Sequence, residues 1–168
     1  MRKTGSWATA WLVVVLATGG CGGESHSPDT PDESAGTTAP TARVTLGGRT
    51  WTVRLAQTEA QRERGLAGVR YLPSDEGMLF IFPDTQTRRF WMKGCRIPLD
   101  VAFLDEERRV VSMHTMALAQ HDPPRRAYPS GKPARYALEV PAGTLDAAGV
   151  EVGDVAAFTG VAKNSDRR

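Results

Sequence analysis

Four charged side chains of the types found in polar binding sites lie close together in the sequence. Lys93, Arg96 and Asp100 follow one another at short spacing, and Glu76 comes just ahead of an apolar run. A carboxyl group beside a lysine can bind a polar ligand, or can transfer a proton in a hydrolase or isomerase. The same residues can instead form an ion pair, or a carboxylate can accept backbone N–H bonds in a turn. Both interpretations stay open, and all four residues are candidates for ligand binding.

Trp91 lies next to this cluster and is the fifth candidate. In a strand, Phe90 and Met92 share one face, so Trp91 lies on the other. If Trp91 is exposed beside Lys93, its flat indole ring suits stacking on a sugar ring. If Trp91 fills the core instead, Phe90 and Met92 point outward. Strand periodicity does not choose between these two arrangements.

Other kinds of chemical site have little support in the sequence. Cys95 with His114 or His121 is the only pairing that suggests a nucleophilic thiol, and the spacing gives no sign of a base within hydrogen-bond reach. The two histidines lack the usual spacing of metal ligands, and no glycine-rich loop follows a strand to hold a phosphate. We predict no catalytic residue, no metal site and no cofactor.

The first 20 residues have the layout of a signal peptide. Arg2 and Lys3 precede an apolar segment at residues 8–18, which is shorter than the roughly 20 apolar residues that span a bilayer. Small residues and then Cys21 follow, as in the bacterial lipoprotein box, although such boxes usually have Leu where Thr18 stands. The alternatives are an ordinary cleaved signal peptide and an uncleaved anchor. We predict that Cys21 is lipidated and anchors an exported protein to the cell membrane or outer membrane, with its domain facing the periplasm or the outside.

The segment after Cys21 differs in composition from the rest of the chain. Residues 22–42 contain four acidic residues, no Lys or Arg, and no large apolar side chain. Such a segment cannot bury enough apolar surface to offset its ordering entropy. We therefore predict a signal peptide at residues 1–20, a disordered tether at 21–42, one domain at 43–163 and a polar tail at 164–168.

Apolar residues alternate with polar ones through most of the chain after residue 42, which is typical of half-buried strands. A capping-box pattern from Thr58 to Gln61 predicts a short helix that ends near Gly65. Pro83 and Asp84 are expected to end the apolar strand that precedes them. A long loop is predicted at 117–133, and one helical turn at 145–149. Strands are predicted at 43–46, 50–56, 77–82, 87–93, 99–104, 109–116, 134–140 and 154–161. This spacing predicts a mainly β domain, a sandwich or a barrel with one or two short helices.

Four stretches together resemble a known family. They are LAQTEAQRERGL (55–66), GMLFIF (77–82), FWMKGCRIPLDVAFLD (90–105) and PARYALEVPAG (133–143). They resemble the bacterial "domain of unknown function 192" family over about residues 50–161. The resemblance implies a compact jelly-roll-like β-sandwich, often exported behind a signal or lipoprotein segment, and implies no reaction.

The chain departs from the usual pattern of that family at two places. Members commonly have Gly-Leu-Met where this chain has Gly65-Leu66-Ala67, and Lys-Asn-Thr where it has Lys93-Gly94-Cys95. A cysteine in place of threonine suggests that Cys95 occupies a small, half-buried packing position.

Charge and composition narrow the expected partners. From Arg43 onward the chain has 19 basic and 15 acidic residues, an interspersed excess that does not indicate nucleic-acid binding. We predict a non-catalytic module that binds a ligand or glycan in the cell envelope and contacts the membrane through its lipid. The alternatives are a hydrolase or isomerase that uses Glu76, Lys93 and Asp100, and a module that docks on another envelope protein. A peptide is a further candidate ligand.

Overall fold

Strands and tight turns make up most of the part of the chain that this computed structural model describes, residues 41–120 and 126–161. The elements in chain order are β1 (Thr41–Leu46), β2 (Arg49–Ala56), α1 (Glu59–Arg64), β3 (Glu76–Phe90), β4 (Leu99–Leu104), β5 (Val110–Met116), β6 (Tyr128–Pro141), α2 (Thr144–Ala147) and β7 (Ala157–Thr159). The prediction of a mainly β domain with one or two short helices is confirmed. The predicted signal peptide, Cys21, the tether up to residue 40, His121 and the tail at 164–168 lie outside the described residues.

All seven strands belong to one sheet, in the order β5-β4-β6-β3-β2-β1-β7. Neighbouring strands are antiparallel except β2 and β3, which are parallel. The two edges of the sheet meet where the backbones of Arg109 and Val155 pair in an isolated antiparallel β-bridge. There the Val110 N–H donates to the Asp154 carbonyl at 2.8 Å. The sheet is therefore curled. The predicted two-sheet sandwich is not confirmed, because all these strands lie in one sheet. Apolar alternation could not distinguish the two architectures, since a half-buried strand alternates in either.

Apolar side chains fill both faces of this sheet. The first core draws on β1 to β6 and includes Trp51, Leu79 and Leu138, all fully buried. The second core lies on the opposite face and includes Phe80 and Phe103. The turns that follow α1 and β3 add the buried side chains Leu66, Leu72 and Met92 to the second core. The strand GMLFIF, which the sequence predicts to be buried on both faces, indeed contributes alternate residues to the two cores.

The helix α1 forms where the capping-box pattern predicts it. The Gln61 N–H donates to Thr58 Oγ1 at 3.2 Å, and the Thr58 N–H donates to Gln61 Oε1 at 3.0 Å. These two bonds satisfy backbone donors that the first turn of a helix leaves without partners. Gly65 then ends the helix with φ 48°, a conformation that L side chains rarely adopt.

Three predicted strand boundaries are wrong, for a common reason. Strand β3 does not stop at Pro83 but continues to Phe90, so no separate strand spans 87–93. Strand β6 begins at Tyr128, inside the predicted loop at 117–133. Its pairing with β3 shifts register between Ile81 and Gln86 and again before Arg89. Such bulges interrupt the hydrogen-bond ladder, so proline fits without an N–H group to donate.

The remaining elements are short. The last strand spans only Ala157–Thr159 of the predicted 154–161, and α2 begins one residue before the predicted helical turn. In the described part of the chain, neither helix has the length and apolar character needed to cross a membrane.

Candidate ligand-binding site

A cavity of about 560 Å³ opens beside α1, on the sheet face that carries the second core. One wall is α1 with the turn after it, and another is the later half of β3. The segment that follows β3 forms a third wall, and β6 contributes Glu139. A concave space of this volume is typical of sites for small molecules.

The cavity lining is rich in charged groups and has a positive balance. Its cationic side chains are Arg62, Arg64, Arg88, Arg89 and Lys93. Its carboxyl groups are Glu59, Glu63, Asp84 and Glu139. Five cations therefore face four carboxyl groups, one of which is buried. This balance favours an anionic ligand over a cationic one.

Two of the arginines are held in place by the protein itself. Arg62 donates hydrogen bonds to the carbonyls of Gln57 and Ile81, and Arg88 donates to the Ala134 carbonyl and to Asp84. Both guanidinium groups contact the ring of Phe82, at 5.4 Å and 4.0 Å from its centroid. The hydrogen bond from Arg88 lowers the pKa of Asp84, which therefore remains ionised beside it. Arg62 and Arg88 thus shape the wall.

The other three cations have no such partners. Among the described residues, no side-chain hydrogen bond or ion pair engages the charged groups of Arg64, Arg89 or Lys93. Their charges are available to an acidic group of a ligand, and guanidinium and ammonium groups bind carboxylates well.

Trp91 supplies an aromatic surface at the same cavity. Its side chain is 60% exposed, whereas Met92 is fully buried and Phe90 is half-buried. Of the two arrangements that the sequence left open, the structure therefore shows the one with Trp91 outside the core. Phe90 packs edge-on against Phe80 with ring centroids 4.9 Å apart, which holds the segment before Trp91 against the sheet.

Glu139 is a buried carboxyl group at this cavity. Its side chain is only 4% exposed, and β6 pairs it with Met78 on β3 and with Val101 on β4. Removal from water disfavours the charged form, and burial raises the pKa of Glu139 to about 8. Glu139 is therefore mainly protonated at neutral pH.

Cys95 lies near Glu139 and lines the same cavity. Burial raises the pKa of its thiol to about 11, and the negative charge of Glu139 acts in the same direction. A thiol with so high a pKa is a poor nucleophile at neutral pH. Its predicted partner His114 donates from Nε2 to the Pro129 carbonyl at 2.7 Å and does not line the cavity. These contacts agree with the packing role suggested for Cys95.

The four charged residues that lie close together in the sequence do not share one site in the structure. Of the predicted residues, Trp91 and Lys93 line the cavity, whereas Arg96 is exposed and does not. Glu76 lies 3.9 Å from Arg54 in an exposed ion pair, also away from the cavity. The three residues of the alternative enzyme, Glu76, Lys93 and Asp100, therefore do not share one site.

Asp100 lies on the opposite face of the sheet and supports the fold. It is 3% exposed and accepts hydrogen bonds from Thr115 Oγ1 at 2.8 Å and from the Leu145 N–H at 3.2 Å. Its face is opposite that of Leu99 and Val101, because successive residues of a strand point to opposite faces. The second bond reaches the first turn of α2 and satisfies a donor there. Of its two interpretations, the structure shows the carboxylate that accepts a backbone N–H.

Comparison with known proteins assigns the chain to a family. The sequence profile of the DUF192 family, described as an uncharacterized ACR, matches residues 42–158, well over half of the 168-residue chain. The chain belongs to the DUF192 family. The resemblance seen in the sequence is thereby confirmed. No curated protein matches the chain.

Two solved structures are similar to this DUF192 domain. One comes from Sinorhizobium meliloti 1021 and is provisionally described as a transcription regulator. It is 35% identical, the match covers 72% of this chain and 94% of that one, and the TM-score is 0.63. The other is a protein of unknown function from Novosphingobium aromaticivorans DSM 12444. It is 28% identical, with 70% and 83% of the two chains covered and a TM-score of 0.63.

The two departures from the usual DUF192 pattern are neighbours in space. The Gly68 N–H donates to the Gly94 carbonyl at 2.8 Å, which joins the turn after α1 to the turn after β3. A Cβ atom added at Gly94 would lie 3.3 Å from the Cβ of Ala67. Gly94 has φ 69°, a conformation that glycine adopts freely and asparagine tolerates. The substitutions of this chain thus lie together beside the cavity wall.

Sequence reasoning missed Glu139, the most deeply buried carboxyl group of this DUF192 cavity. A signal was present, because Glu139 interrupts the apolar run from Ala137 to Val140. A charged residue between two buried strand positions is rare unless it has a partner or a function. Nothing local, however, places it near Cys95 and Trp91. Within residues 41–120 and 126–161, no group of three metal-ligating side chains could hold a metal ion.

Proposed function

We propose that this DUF192 domain is a non-catalytic binding module for an acidic glycan of the cell envelope. The observation that carries the proposal is one cavity that combines the exposed indole of Trp91 with cationic groups, Lys93 among them, that have no side-chain partner among the described residues. An indole ring can stack on the apolar face of a sugar, and the cations suit its carboxylate. A neutral glycan would leave the positive charge of the lining unused.

The cellular setting is the second part of the proposal. Cys21 follows small residues at the end of an apolar segment, and lipidation there would place the domain near envelope polysaccharides. Several acyl chains would hold the protein stably on a membrane, whereas a single chain binds only marginally.

Replacement of Trp91 by alanine tests the binding site. We expect the purified protein to bind trigalacturonate, and Trp91→Ala to weaken this binding about tenfold or more, because the mutant loses a large apolar contact. Isothermal titration calorimetry gives both affinities. Tyr71→Ala is the matched control, since Tyr71 is 79% exposed and lies outside the cavity. Equal affinities for Trp91→Ala and wild type, or preferential binding of maltotriose or of a peptide, would contradict an acidic-glycan site.

Replacement of Cys21 by alanine tests the anchor. We expect the wild-type protein to sediment with membranes and to carry a thioether-linked lipid at Cys21 in mass spectra, and we expect Cys21→Ala to lose both properties. Cys95→Ala is the control, because the chain has only two cysteines. An unmodified wild-type Cys21 would exclude lipidation, and a wild-type protein that is cleaved and released without lipid would favour an ordinary signal peptide.

A further inference from the structure

Glu139 occupies an unusual position for a charged residue. It lies on β6, between its neighbours β3 and β4 near the middle of the sheet, and its cross-strand partners are Met78 and Val101. Its side chain is on the face of the second core, to which both of these apolar partners belong. Nevertheless it lines the cavity, so it is placed next to the ligand site.

The carboxyl group of Glu139 has unused hydrogen-bonding capacity. No side-chain hydrogen bond or ion pair connects it to any residue within 41–120 or 126–161. Burial of a polar group without a partner costs free energy, commonly 1–3 kcal/mol or so by mutational measurements. Its position in the cavity would let a bound molecule supply the missing partner.

The protonation of Glu139 determines which partner fits. Burial raises its pKa to about 8, so at neutral pH the group carries both an O–H donor and a carbonyl acceptor. A sugar hydroxyl group also donates and accepts, and so matches it. A ligand ammonium group would instead bind the ionised form.

We propose that Glu139 is the innermost recognition group of the cavity and hydrogen-bonds a hydroxyl group of the acidic glycan. The inference rests on the proposed function and adds a hydroxyl at the inner end of the ligand, away from its carboxylate. Ionisation of Glu139 places a negative charge beside an anionic ligand and removes the donor, so binding weakens at high pH.

The other titratable and charged groups around the cavity come from three elements. They are Glu59, Arg62, Glu63 and Arg64 from α1 and its turn, Asp84, Arg88 and Arg89 from β3, and Lys93 and Cys95 from the segment after β3. Two of these groups have shifted pKa values, and both shifts keep the groups from titrating between pH 6.5 and pH 9. The pKa of Asp84 is lowered, and that of Cys95 is raised to about 11.

The test compares trigalacturonate binding at pH 6.5 and pH 9 in wild type, Glu139→Gln and Glu139→Ala. We expect the wild-type affinity to fall about tenfold at pH 9. The lost hydrogen bond and the added charge repulsion together weaken binding by about 1.4 kcal/mol, which corresponds to that ratio. Glu139→Gln keeps a donor and an acceptor without titrating. At pH 6.5 and at pH 9 its affinity should therefore stay within about threefold of the wild-type affinity at pH 6.5. Glu139→Ala should bind about tenfold more weakly than wild type at pH 6.5. Circular dichroism at each pH confirms that every variant is folded.

The outcomes separate this inference from the proposed function. If wild type binds trigalacturonate, but both variants show its affinity and its pH dependence, Glu139 is not a recognition group and the cavity proposal stands. An affinity that rises toward pH 9 in wild type alone would overturn the inference, because it indicates a carboxylate bound to a cationic group. No binding by folded wild type at either pH would overturn the proposed function itself.

Discussion

Wild-type protein is expected to lose on the order of 3–5 kcal/mol of folding stability between pH 4.5 and pH 8, and Glu139→Gln is expected to remove most of this loss. Burial raises the pKa of Glu139 from 4.5 to about 8. Between these values the unfolded chain ionises the carboxyl group while the folded protein keeps it protonated. The native state therefore binds one more proton, and the free energy of unfolding falls as the pH rises. The stabilising contribution is complete below about pH 4.5 and is lost by about pH 8.

Urea denaturation at pH 5, 6.5 and 8 measures this dependence. At pH 5 the wild-type carboxyl group is neutral, so wild type and Glu139→Gln should have similar stabilities. At pH 8 the variant should be more stable by several kcal/mol or so. Glu107→Gln, which changes an exposed turn residue, is the control and should follow wild type. Parallel curves for wild type and Glu139→Gln would show that Glu139 ionises equally in the folded and unfolded protein.

Replacement of Gly77 by alanine is expected to destabilise the domain by about 3 kcal/mol or more. A Cβ atom at Gly77 would lie 2.5 Å from the Glu139 carbonyl oxygen and 2.9 Å from Val140 Cγ1. Strand β3 would have to move away from β6, and both strands lie inside the sheet and carry its two cores. Closely packed interiors accommodate such a displacement poorly.

Gly48→Ala is the matched control for this prediction. Gly48 has φ 74°, but a Cβ atom there would meet nothing within 4 Å. Its replacement should therefore cost only the conformational strain, about 1 kcal/mol. Thermal and urea denaturation give both values. If Gly77→Ala were as stable as Gly48→Ala, the close approach between β3 and β6 would not limit the stability of the sheet.

The retention of Glu139 illustrates a conflict between stability and binding. A glutamine or an apolar residue at this position should fold at least as well at pH 8, because the protein would no longer hold a carboxyl group out of water. An amino acid that lowers stability at a cavity is a candidate for function. The two experiments on Glu139 are complementary, since one measures its cost to folding and the other its contribution to a ligand.

Several local features could be predicted from the sequence because neighbouring residues determine them. Thr58 and Gln61 form the capping box that begins α1, and both partners lie within one turn. The side of the strand that Asp100 occupies follows from alternation within β4. The bulges in β3 could not be predicted in this way. Proline ends a regular strand, and only the shifted pairing with β6 shows that Pro83 lies where the ladder is interrupted.

By itself, the sequence determined the family, the mainly β class and the start of α1, because family motifs, alternation and capping are local patterns. Only the tertiary structure decided the order of the strands, the curling of the sheet and the members of the cavity. Glu139 on β6 is far in the chain from Trp91 and Cys95, which both follow β3, and long-range pairing of β6 with β3 and β4 brings Glu139 to the same cavity. The physical reason is that side-chain chemistry is encoded residue by residue, whereas the burial that raises the pKa of Glu139 arises only when distant strands pack.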